Sequence, residues 1–139
     1  RILLEDCKER LHFKYMPHAV FTEPEIASVG ITEQKAKEKN IKYVTSTTNW
    51  LASAKAMSTR LHYPVTKFLI NPDNYEILGC HMIGPESSTM MHQVLAVMHI
   101  NNDVRHIKEM LYIHPALSEA LLPAAVAAVK EVEKYNKKS

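Results

Sequence analysis

A chain of 139 residues with 46% hydrophobic content has the length of one domain and enough apolar residues for one core. Its net charge of +2, with basic and acidic residues interleaved, argues against nucleic acid as a partner. No stretch approaches the roughly 20 apolar residues of a membrane span. Only Lys134, Lys137 and Lys138 cluster, as the solvated last turn and tail of a helix would. With no signal peptide recognisable, a cytoplasmic protein is expected.

Arg1-Ile2-Leu3-Leu4 opens without a methionine and inside a helix-like pattern, with Leu3, Leu4, Cys7 and Leu11 at helical spacing. Residues 2 to 11 therefore read as the end of a helix, and the chain as a piece of something longer. Met16-Pro17 turns out of it. His18 to Thr22 is a short strand, Thr22-Glu23-Pro24-Glu25 a turn, and Ile26 to Ile31 a second strand with Ala27, Val29 and Ile31 on one side. Thr32 has the composition of an N-cap for a helix running to about Lys39, with Asn40 as its stop.

Lys42 to Thr48 is rich in β-branched residues and predicts a strand. Trp50 to Leu61 mixes alanines with Ser53, Ser58 and Thr59 and is read as irregular. The strongest local pattern follows: Val65 to Ile70, the turn formers Asn71-Pro72-Asp73-Asn74, and Tyr75 to Ile83 make a hairpin. Gly84-Pro85 ends it, and a helix is expected from about Pro85 or Glu86. Met91, Val94, Leu95 and Met98, with Met90 and Val97 beside them, form a stripe at helical spacing up to Asn101. Asp103 caps a second helix, from Val104 to Met110 or Leu111. The last helix is expected over Ala120 to Tyr135. Pro123 within it demands either a kink or a fresh helical start.

Strands separated by helices, with a tight hairpin in the middle, describe an α+β domain with a largely antiparallel sheet flanked by helices. Gly30, Gly79 and Gly84 are the only glycines and stand apart, which excludes a glycine-rich dinucleotide or phosphate cradle. Cys7 and Cys80 lie too far apart for a redox pair or a zinc knuckle and read as structural thiols in a reducing compartment. His92, His99 and His106 recur at sevenths. Ligands on a helix want spacings of three or four, so a metal site is not expected.

Chemistry concentrates in Tyr112-Ile113-His114-Pro115-Ala116-Leu117-Ser118-Glu119. Pro115 pushes His114 out of helical conformation, and Leu117-Ser118-Glu119 opens the alanine-rich run, setting Glu119 in the first turn of a helix. A carboxylate that accepts one ring N–H fixes the histidine tautomer, stabilises the protonated ring and leaves the other nitrogen free to move a proton. A surface or capping histidine would carry the same residues, and composition alone favours that reading over a catalytic one.

Phe21-Thr22-Glu23-Pro24-Glu25-Ile26-Ala27-Ser28-Val29-Gly30-Ile31-Thr32-Glu33 resembles the opening of the C-terminal dimerisation domain of FAD-dependent pyridine nucleotide-disulfide oxidoreductases. Ile77 to Pro85 resembles its middle, and His114-Pro115-Ala116-Leu117-Ser118-Glu119 its signature. Within the family the likeness is greatest to the dihydrolipoamide dehydrogenase branch. The resemblance implies a division into residues 1–15, the tail of a preceding FAD domain and linker, and residues 16–139, the dimerisation domain. It implies that His114 is the acid/base and Glu119 its orienting partner, both serving the other subunit of a homodimer. The His114-Pro115 peptide is expected to be cis, its backbone near the partner's flavin.

FAD and NAD(P) are expected in the full-length enzyme and none on this fragment, which lacks the flavin domain, the nicotinamide domain and the redox disulfide. The expected partners are a second copy, the FAD and NAD domains of the parent chain, and, as a further candidate, a 2-oxo acid dehydrogenase complex. The helix from Met90 to Met98 and the segment after Pro115 are the expected dimer contacts. Tyr112 stands where many lipoamide dehydrogenases have a second histidine, and Ala116 where a threonine is frequent. Those departures move the likeness towards mercuric and mycothione reductases. A purely structural dimerisation module is the reading from a different class.

Overall fold

The structure, a computed structural model, describes residues 15–58 and 63–138. The expected helix over residues 2 to 11 and Cys7 lie outside the described residues. Strands β1 (His18–Val20), β2 (Ile26–Gly30), β3 (Val44–Asn49), β4 (Val65–Ile70) and β5 (Ile77–Ile83) form one five-stranded sheet in the order β1-β2-β5-β4-β3. Every neighbouring pair is antiparallel. Helices α1 (Glu33–Glu38), α2 (Ala54–Ser58), α3 (Ser87–Ile100), α4 (Val104–Glu109) and α5 (Leu121–Asn136) complete the domain, with a 3-10 turn over Leu117–Ala120. The α+β architecture read from the sequence is the one observed.

Strand alternation sets the two faces of the sheet. Phe68, Cys80 and Val29 stand opposite one another across β4, β5 and β2 and are fully buried. Thr66, Met82 and Ala27 form the adjoining buried row. Helix α3 covers β2 and β5 on this side, and α5 covers β3 and β4. The α3 stripe of Met90, Met91, Val94, Leu95 and Met98 is buried, as its spacing predicts. Helix α5 buries Leu121, Ala124, Ala125, Ala128, Val129 and Val132 at the same period, its alanines allowing a close approach to the sheet. On the opposite face Lys67 reaches Glu33 of α1 at 2.5 Å.

Local chemistry accounts for most boundaries. Thr32 Oγ1 accepts the Lys35 N–H and starts α1, and Asn40, at φ 51°, ends the turn that follows it. Asp103 accepts the Arg105 N–H and starts α4. Gly30 and Gly79 are register partners, and a Cβ on either would lie 2.2 Å from a carbonyl oxygen of the facing segment. Gly84 leaves room for the Trp50 ring, which would lie 2.4 Å from its Cβ. All three glycines are thus taken up by packing.

Three expectations are corrected. Residues 54 to 58, read as irregular, form α2, because Ser53 accepts the Ala56 N–H and closes a first turn that the alanines then continue. Pro85 is not a first helical residue: Glu86 at φ 54° turns the chain left-handed before α3 begins at Ser87. Glu119 lies in the 3-10 turn ahead of α5 and not in the first turn of α5 itself. Pro123 is the third residue of α5, inside its first turn, where the N–H groups of a helix lack an acceptor within it, so the helix starts two residues before the proline and not at it.

Candidate active site

Helix α4 ends at Glu109, Met110 after it is extended, and Leu111 to Ile113 continue without regular structure. Tyr112 points inward, its hydroxyl donating to the Ile107 carbonyl at 2.8 Å, and burial pushes the phenol up to about 12. Leu111 and Ile113 on either side are 100% and 82% exposed, large apolar side chains left without cover in a single chain. The His114-Pro115 peptide follows and is cis, as is Glu23-Pro24. Ala116 is extended, and the 3-10 turn begins at Leu117.

Glu119 serves two groups with its two oxygens. Oε2 accepts the Ala116 N–H at 2.8 Å, and Oε1 meets His114 Nδ1 at 2.9 Å. A carboxylate only accepts, so Nδ1 carries the hydrogen and donates it. The Ala116 N–H and then the His114 ring hold the Glu119 carboxyl below the usual carboxylate range. The imidazole side chain is 70% exposed against 21% for Glu119, so an anchored acid supports an outward ring. Nε2 has no partner among the described residues. A neutral ring in this tautomer presents the Nε2 lone pair to solvent as a base, and the carboxylate stabilises the cation formed when it accepts a proton.

Sequence reasoning brings His114, Pro115 and Glu119 to one place, and the structure keeps them there. The histidines of the sevenfold spacing go elsewhere: His106 Nε2 lies 2.7 Å from Asn101 Nδ2, and the His99 ring meets Tyr15 edge to face. No group of three metal-binding side chains converges among the described residues. In the sequence Ser53 reads only as a residue that interrupts a helical pattern. Its hydroxyl donates to the Ala116 carbonyl at 3.2 Å across 63 residues, and no short-range pattern signals such a contact.

An open groove of about 420 Å³ runs beside this segment, lined by Glu86, Met90, Gln93 and residues 116–118 among others. Gln93 Oε1 is buried there without a hydrogen-bond partner among the described residues.

Residues 16–125 match the family model of the pyridine nucleotide-disulphide oxidoreductase dimerisation domain. The chain belongs to that family. It is 32% identical over 118 residues to the mitochondrial dihydrolipoyl dehydrogenase of Schizosaccharomyces pombe, covering 85% of this chain and 23% of that protein. To dihydrolipoyl dehydrogenase 3 of Haloarcula marismortui it is 30% identical over 113 residues, 81% of this chain and 24% of that protein. Among solved structures, an HOCl-induced flavoprotein disulfide reductase from Escherichia coli superposes with a TM-score of 0.76 at 25% identity, over 81% of this chain and 26% of that one. LpdA from Mycobacterium tuberculosis gives 0.77 at 19% identity, over 85% of this chain and 26% of that one, a likeness of fold alone. The chain spans about a quarter of the length of the relatives it matches.

Among the described residues no helix is long and apolar enough to cross a membrane.

Proposed function

We propose that this dimerisation domain supplies His114 and Glu119 as the acid/base pair of the partner subunit's active site in a dimeric, flavin-dependent dithiol/disulfide oxidoreductase of the dihydrolipoamide dehydrogenase type. The observation that carries the reading is the exposed imidazole held through Nδ1 by Glu119, with Nε2 turned to solvent. Residues 1–15 are then the tail of the preceding FAD domain and a linker, and residues 16–139 the dimerisation domain. FAD and NAD(P) belong to the full-length enzyme, where they supply the electron transfer, and the His114-Pro115 backbone lies near the partner's flavin. The isolated chain is inactive. A free, buried Cys80 fits a reducing setting such as the cytoplasm.

In dithiol oxidation His114 Nε2 accepts the proton of a substrate thiol. The thiolate attacks one sulfur of the enzyme disulfide, forming a mixed disulfide and releasing the other sulfur as thiolate. The second substrate sulfur then attacks the substrate sulfur of the mixed disulfide and closes the product disulfide. The first enzyme sulfur leaves with the proton that His114 returns, and the second thiol's proton passes to the ring, so the enzyme ends as one thiol, one thiolate and a protonated His114. Glu119 keeps the ring oriented and stabilises the imidazolium without taking the proton itself.

Exposed Leu111 and Ile113, and the unpartnered Gln93 oxygen in the neighbouring groove, support a second copy as the cover of this surface. A 2-oxo acid dehydrogenase complex is the assembly such an enzyme would serve. Tyr112, tied to the Ile107 carbonyl where a second histidine is frequent, favours a mercuric or mycothione reductase-like substrate as the second reading.

Substituting His114→Gln in the full-length enzyme tests the proposal. Dithiol turnover is expected to fall about 10²- to 10⁴-fold with dimers and flavin retained. Unchanged turnover in intact dimers would leave only a structural pairing module.

A further inference from the structure

Ser53 is 3% exposed, in the loop between β3 and α2. A buried hydroxyl needs partners, and this one has two. It donates to the Ala116 carbonyl at 3.2 Å and accepts the Ala56 N–H at 3.3 Å. The second bond caps α2. The first ties α2 to the segment that carries the histidine.

Ala116 is where that tie acts. Its N–H donates to Glu119 Oε2 at 2.8 Å, while its carbonyl receives Ser53 and, at 3.4 Å, the Glu119 N–H. The peptide planes on both sides of its Cα are therefore held. Rotation there would swing Glu119 relative to His114. Ser53 is itself anchored to the sheet through Trp50: its N–H donates to the Trp50 carbonyl at 2.9 Å, and the Trp50 N–H to the Pro64 carbonyl at 3.1 Å. The fully buried Trp50 indole N–H donates to Thr66 Oγ1 at 2.8 Å, in the space that Gly84 leaves. On the other flank of His114, Tyr112 is fixed to the Ile107 carbonyl.

We propose that Ser53 is a positioning residue for the His114–Glu119 pair, holding Ala116 so that one carboxylate spans both the Ala116 N–H and the imidazole. The inference rests on the acid/base reading above. It makes the Trp50–Ser53 loop part of the catalytic support and not only a connection between strand and helix.

The test uses the full-length flavoprotein dimer and dithiol turnover. Ser53→Ala is expected to lower kcat about 5- to 20-fold with KM within about twofold, because a misaligned base costs rate and not binding. In a Glu119→Gln background the same substitution is expected to change kcat less than about twofold, since the geometry it protects is already gone. Wild-type kcat for Ser53→Ala would overturn the proposal. So would an equal fold-loss in both backgrounds, as would a loss explained wholly by dissociated dimers or lost flavin absorbance. If Ser53→Ala does not fold, Ser53→Cys keeps the volume with a weaker donor. An intermediate loss of kcat supports the tie, and none overturns it.

His114→Gln, run alongside, separates the two levels. Unchanged turnover there removes the acid/base reading itself. A large loss there with a silent Ser53 substitution removes only the positioning role.

Discussion

His114 Nδ1 and Glu119 Oε1 meet at 2.9 Å across a cis proline and a single 3-10 turn, the ring outside and the acid partly sheltered. The carboxylate is committed twice, to a backbone N–H and to the ring, so it cannot swing away without breaking both bonds. An exposed histidine thereby keeps one nitrogen in a fixed role and leaves the other available.

Because bonding to the Ala116 N–H and to His114 lowers the Glu119 pKa, its contribution to stability has a definite sign. It is present above the unfolded glutamate value of about 4.3 and is lost as pH falls through the folded one. Wild type should therefore lose more stability than Glu119→Gln on acidification below that range. Denaturant midpoints of both proteins measured from pH 6 to pH 3 check this. Parallel pH dependence would contradict it.

The Trp50 anchor should be sensitive to small changes. Gly84→Ala would set a Cβ 2.4 Å from the indole and is expected to cost about 1–3 kcal/mol. Thr66→Val removes the acceptor of the buried indole N–H, for about 1–3 kcal/mol. Chemical denaturation followed by the fluorescence of the single tryptophan reads both.

Cys80 is fully buried, and burial raises its thiol well above the ordinary range. It should resist a water-soluble disulfide reagent in the native protein and react within minutes in denaturant. Rapid native labelling at Cys80, located by peptide mapping, would be inconsistent with its place between Phe68 and Val29.

How much of this was legible follows from the range of each interaction. The β4–β5 hairpin reads directly, since β-branched strands and Asn71 to Asn74 act over a few residues, and only its second strand starts later than expected. The methionine stripe of α3 and the Asp103 cap read for the same reason. The His114–Glu119 pair was legible because both partners lie within six residues. Helix α2 was not: its serines dilute the helical pattern, although Ser53 is the cap that starts it. Nor was the insertion of β5 between β2 and β4, or the reach from Ser53 to Ala116, which the assembled sheet brings about.

Complementation between two inactive full-length variants tests most directly whether the histidine serves the opposite subunit. One variant lacks a redox cysteine of the parent enzyme, and the other carries His114→Gln. A histidine donated across the two-fold axis gives purified heterodimers one complete site and about half of wild-type turnover. A histidine acting within its own subunit gives heterodimers as inactive as their parents, which would contradict the proposal.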